Sequence, residues 1–213
     1  MGHRRALTLG AAAVAVVVVV AGAAGWWWHQ RSPYGPEVLK ATATLRLVDQ
    51  ARADAAFGGR LLEATGEGAQ IFLGQVAWTP PPQAEPGAML IIAVVDTRTR
   101  TLPGFIATTS NRPDQVGTGS DGVLNAVEER YPWLQGVGAR EVHGGSYTSG
   151  SVVIVTSVDA APVTYSFVLY PARPETSPEF AVASAPAAVD DLMVALISIG
   201  PDRQIYWAER LLN

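Results

Sequence analysis

The chain opens with a long run of uncharged residues. Residues 6–25 contain no charged side chain, and two arginines precede them. Because an α-helix rises about 1.5 Å per residue, such a run extends roughly 30 Å and matches the hydrocarbon core of a bilayer. Three consecutive tryptophans at 26–28 follow, where aromatic side chains line a membrane interface. The pattern predicts a transmembrane anchor over residues 1–28, in contact with the lipid bilayer through residues 6–28.

The charges around this run predict its orientation. Arg4 and Arg5 lie before it, and basic residues favour the cytoplasmic side, so we expect a cytoplasmic N-terminus and the C-terminal domain outside. A cleaved signal peptide is the alternative, because the apolar stretch 11–21 and the small residues after it also suit signal peptidase. Either interpretation exports the remaining chain, as a single-pass membrane protein or as a secreted one.

A change of pattern marks the start of the exported domain. Residues 29–37 are expected to form a linker, because two prolines and a glycine prevent a continuous helix there. The domain then covers 38–213. From 39 to 47 every second residue is apolar, which is typical of a half-buried strand. Asp49 is placed to cap a helix over residues 50–57 that ends at two glycines.

Short apolar segments between turn residues make up the centre of the domain. Met89–Val95 is apolar throughout, which predicts a central strand buried on both faces, with 102–108 as its partner. The other predicted elements are a strand at 71–78, a loop at 110–119, a helix from Ser120 or Asp121 to Tyr131, and a hairpin of 152–158 with 163–170.

The end of the chain allows two interpretations. Residues 189–199 fit both helical spacing and a buried strand, whereas 200–203 is a turn signal followed by an alternating segment. We expect a C-terminal hairpin. Many strands, few helices and short connections predict an α+β fold: an N-terminal transmembrane helix followed by one exported domain built on a largely antiparallel β-sheet with a few short helices.

Composition narrows the class of protein. The chain has no cysteine, which excludes disulfides, thiolate metal sites and cysteine nucleophiles. A net charge of −4 argues against a nucleic-acid partner, which needs a basic surface. Lys40 is the only lysine among the 15 basic residues, so the other basic residues are arginines. Because arginine codons are mostly G/C-rich, this bias indicates a bacterial chain from a high-GC genome.

One glycine pattern resembles a cofactor motif. Residues 117–122 match G-x-G-x-x-G, the pattern of dinucleotide-binding loops. Such a site needs a strand that leads directly into the first glycine, whereas the preceding predicted strand ends near Thr108. Asp121 would also place a carboxylate where phosphate binds. We interpret the segment as a Gly-rich loop before a capped helix and expect no cofactor.

His143 is the candidate for catalysis, because it is the one histidine well inside the exported domain. It can be combined with Ser146 and with Asp159 or Asp96 into a triad, but the chain has no G-x-S-x-G nucleophile elbow. A single histidine without cysteine does not make a zinc site. We therefore expect neither catalytic nor metal-binding residues. A catalytic pair of carboxylates is not tested by the sequence, because the fold sets the distance between the two groups.

Aromatic residues are the remaining candidates for a binding site. Trp78, Trp133 and Trp207 are expected in the core or at its rim. A partner-binding patch needs at least two of them exposed together, and Trp78 and Trp133 are the better candidates because they adjoin prolines. The sequence thus favours a membrane-anchored extracytoplasmic binding, scaffolding or sensing module of a bacterial envelope. The alternative is an envelope hydrolase that uses dispersed carboxylates, His143 or both.

Overall fold

The computed structural model describes most of the chain. The described ranges are 2–59, 70–98, 100, 105–113, 116–118, 123–135, 137, 139–142, 145–148, 153–156, 161–169 and 188–212. Within them, 2–13, 105–106, 116–118, 139–142, 145–148 and 153–156 are described by their backbone alone.

The first element is the helix α1 (Gly2–His29). Its described apolar side chains are exposed: the valines between positions 14 and 20 expose 61–69% of their surface, and Trp28 exposes 71%. Among the fully described residues, which include only 14–29 of α1, no helix is long and apolar enough to cross a membrane.

Strands dominate the rest of the described chain, together with two short helices. The helices are α2 (Gln50–Phe57) and α3 (Val123–Arg130). The strands are β1 (Thr42–Val48), β2 (Ile71–Trp78), β3 (Met89–Asp96), β4 (Phe105–Ser110), β5 (Val116–Thr118), β6 (Ala139–Val142), β7 (Gly145–Thr148), β8 (Val153–Thr156), β9 (Val163–Leu169), β10 (Leu192–Ile199) and β11 (Ile205–Leu212).

The strands form two main antiparallel sheets and a separate ribbon. Sheet A has the order β1-β2-β9-β4, and sheet B has the order β11-β10-β3-β8-β5. Among the strands that the structure describes, β6 and β7 pair only with each other. In sheet B, β3 and β10 pair in continuous register from Met89 opposite Ile199 to Asp96 opposite Leu192. This pair forms the centre of the sheet.

The two sheets pack face to face, and each carries a helix on its outer face. The inter-sheet core joins Phe72 and Phe167 of sheet A to Ile92 and Leu196 of sheet B, all fully buried. Alternate residues of β3 and β10 point the other way and pack against Leu124 and Val127 of α3. On the outer face of sheet A, Ala53 of α2 packs on Leu73 and Val168. The domain therefore has four layers.

Much of the predicted secondary structure is confirmed. The class is α+β with antiparallel sheets and few helices, and β3 is central and buried on both faces. The Asp49 carboxylate accepts a hydrogen bond from the Arg52 amide at 2.8 Å, and Gly58 ends α2 in the left-handed region with φ 65°. Residues 192–199 are a strand, and β10 with β11 forms the expected C-terminal hairpin.

The predicted strand partners were wrong in the middle of the domain. A single sheet was expected, whereas β4 pairs with β9 in sheet A and not with β3. The expected hairpin of 152–158 with 163–170 does not form either, because β8 pairs with β3 and β5 in sheet B while β9 belongs to sheet A. Apolar alternation specifies a buried face but not which of two sheets supplies the neighbour, so both errors have one cause.

Two predicted boundaries also differ. Residues 36–39 form a 3-10 turn instead of the start of β1, with Pro36 in its first turn and Lys40 in the left-handed region after it. The segment 110–119 was expected to be a loop, but β4 continues to Ser110 and β5 occupies Val116–Thr118. Consequently a strand does lead into the Gly-rich motif, contrary to the argument from sequence, while 119–122 lie outside the described residues.

Gly74 of β2 generates a prediction about packing between these layers. A Cβ atom built on Gly74 would overlap the ring atoms of Phe167, the residue opposite it on β9. We expect Gly74→Ala to lower the free energy of unfolding by roughly 1–3 kcal/mol, because the ring must move out of a filled core. Thermal and urea unfolding measure this. Gly59→Ala is the matched control, since no atom lies within 4 Å of its Cβ; an equal loss in both variants would contradict the packing argument.

Candidate functional site

Three arginines converge on two aromatic residues on the outer face of sheet B. We name the set Arg100, Arg130, Tyr131, Trp133 and Arg210 the arginine–aromatic surface. The Arg210 guanidinium carbon lies 5.2 Å from the centre of the Trp133 ring, and that of Arg130 lies 5.4 Å from the Tyr131 ring. Arg100 donates from Nη1 to the Trp133 carbonyl at 3.4 Å. The five residues come from three distant parts of the chain.

The two rings are held by the turn that follows α3. Leu124 and Val127 bury one side of α3, and Leu134 anchors the 3-10 turn Pro132–Leu134 in the same outer cluster. Tyr131 and Trp133 pack on the margin of this cluster, with their rings 6.1 Å apart in an edge-to-face arrangement. Because the buried leucine fixes the turn, both rings keep a half-exposed position. The surface is therefore preformed by the fold.

Arg130 also ties α3 to the edge strand of sheet B. Its Nη1 donates to the Ile205 carbonyl, and its Nη2 donates to the Tyr206 carbonyl at 3.4 Å. As the last residue of α3, it places a cation beside the carbonyl end of the helix, which the helix dipole favours. Arg130 thus has a structural role in addition to its place on the surface.

The arginine–aromatic surface has a chemistry suited to binding rather than to bond cleavage. Guanidinium groups packed against aromatic rings keep their planar fork of donors, which matches carboxylate and phosphate oxygens. The five residues include no carboxylate, imidazole or aliphatic hydroxyl that could serve as a base or nucleophile. Glu128 and Glu129 precede Arg130 on α3.

A second polar cluster joins the end of α1 to the domain. Tyr34 is buried among the inter-sheet core residues, and its carbonyl accepts a 2.7 Å hydrogen bond from the indole Nε1 of Trp207. Beside it, the Tyr206 hydroxyl donates to Glu85 at 3.1 Å. Burial raises the pKa of Tyr34 to about 12, with a further contribution from Tyr206. We name the set Tyr34, Glu85, Tyr206 and Trp207 the junction.

A carboxylate pair lies at the other end of β3 and β10. Asp96 is almost fully buried, and it accepts hydrogen bonds from Arg98 at its backbone amide (2.9 Å) and at Nη2 (3.0 Å). The Arg98 Nε lies 3.2 Å from Asp191, whose carbonyl in turn accepts from Thr97. Hydrogen bonding to Asp96 raises the pKa of Arg98 further. One guanidinium bridges both carboxylates, so this cluster links the end of β3 to the start of β10. It is not a pair of carboxylates that act as general acid and general base.

The residues singled out in the sequence have different fates. Trp78 is 2% exposed and Trp207 is 8% exposed, whereas Trp133 is half-exposed, so the structure does not bring two of these tryptophans together in an exposed patch. His143 lies outside the described residues, as does Asp159. Asp96, a possible triad member, is engaged by Arg98 instead. Within the described part of the chain, no group of three histidine, aspartate or glutamate residues is arranged to hold a metal ion.

Sequence reasoning identified Trp133 but missed the three arginines. Arg100, Arg130 and Arg210 follow no spacing rule, because a turn, a helix and an edge strand supply one each. Only the assembled outer face of sheet B brings them to the same two aromatic residues.

Comparison with known proteins adds little. No protein-family model and no curated protein matches the sequence. Among solved structures, the chain is similar to the DNA-binding domain of Cep-1, the C. elegans ortholog of human p53, at 10% identity over 80% of this chain and 87% of that chain. The TM-score is 0.29, which is too low to inform either fold or function.

The junction generates a prediction about alkaline pH. An unfolded chain ionises tyrosine near pH 10, whereas folded Tyr34 keeps its proton until about pH 12. The folded state therefore binds more protons in this interval, so the free energy of unfolding falls as the pH rises from 10 to 12. We expect Tyr34→Phe to make this fall less steep. Urea unfolding at a series of pH values measures the slope, and equal slopes in both proteins would contradict the assignment.

Proposed function

We propose that the chain is a membrane-anchored, extracytoplasmic binding module of a bacterial envelope. The observation that carries the proposal is an exposed apolar helix that continues directly into a buried part of a folded domain. The helix supplies the attachment, and the arginine–aromatic surface supplies the binding site.

The exposed side chains of α1 support the anchoring part. Valines between positions 14 and 20 expose more than half of their surface, which is unfavourable in water and favourable in lipid. At the end of the helix, the Arg31 guanidinium lies 3.5 Å from the centre of the Trp27 ring. Arginine and tryptophan side chains both suit the headgroup level of a bilayer. The uncharged run 6–25 is long enough for the hydrocarbon core.

The junction supports a fixed attachment of the domain to its helix. Only four residues separate His29 at the end of α1 from the buried Tyr34. Trp207 holds the backbone of Tyr34, and Leu39 is fully buried in the same core. Because the chain enters the core so soon after the helix, the domain sits close to the bilayer in this proposal.

Non-catalytic binding is favoured by what the described polar groups do. The carboxylates that approach each other, Asp96 and Asp191, are bridged by Arg98. The arginine–aromatic surface contains cations and rings but no nucleophile. An envelope hydrolase would need its site among other residues, such as His143.

The anchoring part predicts the effect of charge in the middle of α1. We expect the wild-type chain to stay in the membrane pellet after carbonate extraction, with an intact N-terminus. Replacing Val17 and Val19 by arginine should release the protein from the pellet or block its export. Each arginine at the centre of a span costs about 2.5–3.5 kcal/mol, whereas leucine contributes favourably. The matched control is Val17→Leu with Val19→Leu, which should behave as wild type.

Fractionation and N-terminal sequencing separate the outcomes. Protease added to spheroplasts should digest the domain if it lies outside the cytoplasm. Recovery of a soluble wild-type chain that begins near Ala24 would show signal-peptide cleavage and contradict the anchor. Equal pellet fractions for the arginine and leucine variants would also count against it.

A further inference from the structure

We propose that the arginine–aromatic surface binds a carboxylate-rich protein segment of a partner. The inference rests on the proposed function, because it names the partner class for the binding module. It starts from the convergence of three cations on Tyr131 and Trp133 in a chain whose net charge is −4. The five residues of the surface themselves include three cations and no anion.

The geometry of the cations favours carboxylates as their ligands. The Arg210 guanidinium carbon lies 5.2 Å from the centre of the Trp133 ring, and a guanidinium carries a planar fork of donors that matches the two oxygens of a carboxylate. Two of the five N–H donors of Arg130 are used by backbone carbonyls, which fix the group in place. The half-exposed rings add apolar contact area beside the cations, as in binding sites enriched in tryptophan, tyrosine and arginine.

The position of the surface favours a protein segment over lipid headgroups. The junction and the 200–204 turn mark the end of sheet B nearest to α1. Arg210 lies five residues beyond Ile205 along β11, which is roughly 17 Å away from that end. Arg100 follows Asp96 at the opposite end of β3, with its amide bonded to the Asp96 carbonyl. The surface therefore leads away from the bilayer, and only Arg130 lies near the membrane side.

The test uses the full chain in phosphatidylcholine nanodiscs and a fluorescein-labelled peptide of ten glutamates. The fluorescence anisotropy of the labelled peptide measures binding. The part of the tryptophan emission that is lost in Trp133→Phe comes from Trp133 and reports on the surface itself. We expect binding that weakens with added salt. The double variant Arg100→Gln with Arg210→Gln should bind about tenfold more weakly, as expected for the loss of two charge-assisted contacts. Arg52→Gln, an exposed arginine of α2 on the other sheet, should stay within about twofold of wild type.

Further measurements distinguish loss of the fold, binding to lipid headgroups and binding to the peptide. Arg210→Lys keeps the charge but not the planar fork, so intermediate binding is expected, with thermal unfolding confirming the fold of each variant. Absence of peptide binding to wild type, or equal binding by the double variant, would overturn the proposal. A change of Trp133 emission in phosphatidylglycerol discs without peptide, absent from the double variant, would also overturn the proposal. It would show that the surface binds lipid headgroups. Failure here leaves the membrane retention of the chain unaffected, so the two proposals fail separately.

Discussion

The pairing of β3 with β10 is the constraint on which the rest of the structure depends. Both strands are buried on both faces, so alternate residues serve the inter-sheet core and the cluster under α3. A shift of one residue would exchange two apolar faces, so hydrophobicity alone does not define the register. Contacts at one end of the pair define it instead. There Arg98 bridges Asp96 and Asp191, and the Thr97 amide donates to the Asp191 carbonyl.

The parts of the fold that depend on neighbouring residues were predictable from the sequence. Asp49 and Gly58 bound α2 as expected, because a cap and a left-handed glycine act within one helical turn. The C-terminal hairpin also follows from its turn residues. Assignment of β4 and β8 to their sheets was not predictable, because a strand pattern shows that a face is buried but not what covers it. For the same reason, the sequence did not predict that the strands divide into two sheets.

The candidate site illustrates this limit at the level of single residues. Trp133 was recognisable beside its proline, since an aromatic residue in such a turn has a good chance of exposure. The companion arginines were not, because 110 residues separate Arg100 from Arg210 in the chain. Burial of Leu134 and Val127 fixes the turn, and the edge position of β11 brings Arg210 to it. Packing of an apolar cluster thus creates a polar surface that no local motif encodes.

The bond from Trp207 to Tyr34 has a consequence for the order of folding. Its partners lie 173 residues apart, so it closes one of the longest loops in the described chain. Loop-closure entropy opposes a contact of such sequence separation until the strands between its partners have paired. Without β11, the Tyr34 carbonyl would lose this hydrogen-bond donor, and the segment next to α1 would keep fewer contacts with the domain. The last strand of the chain therefore contributes directly to holding the segment that follows the first helix.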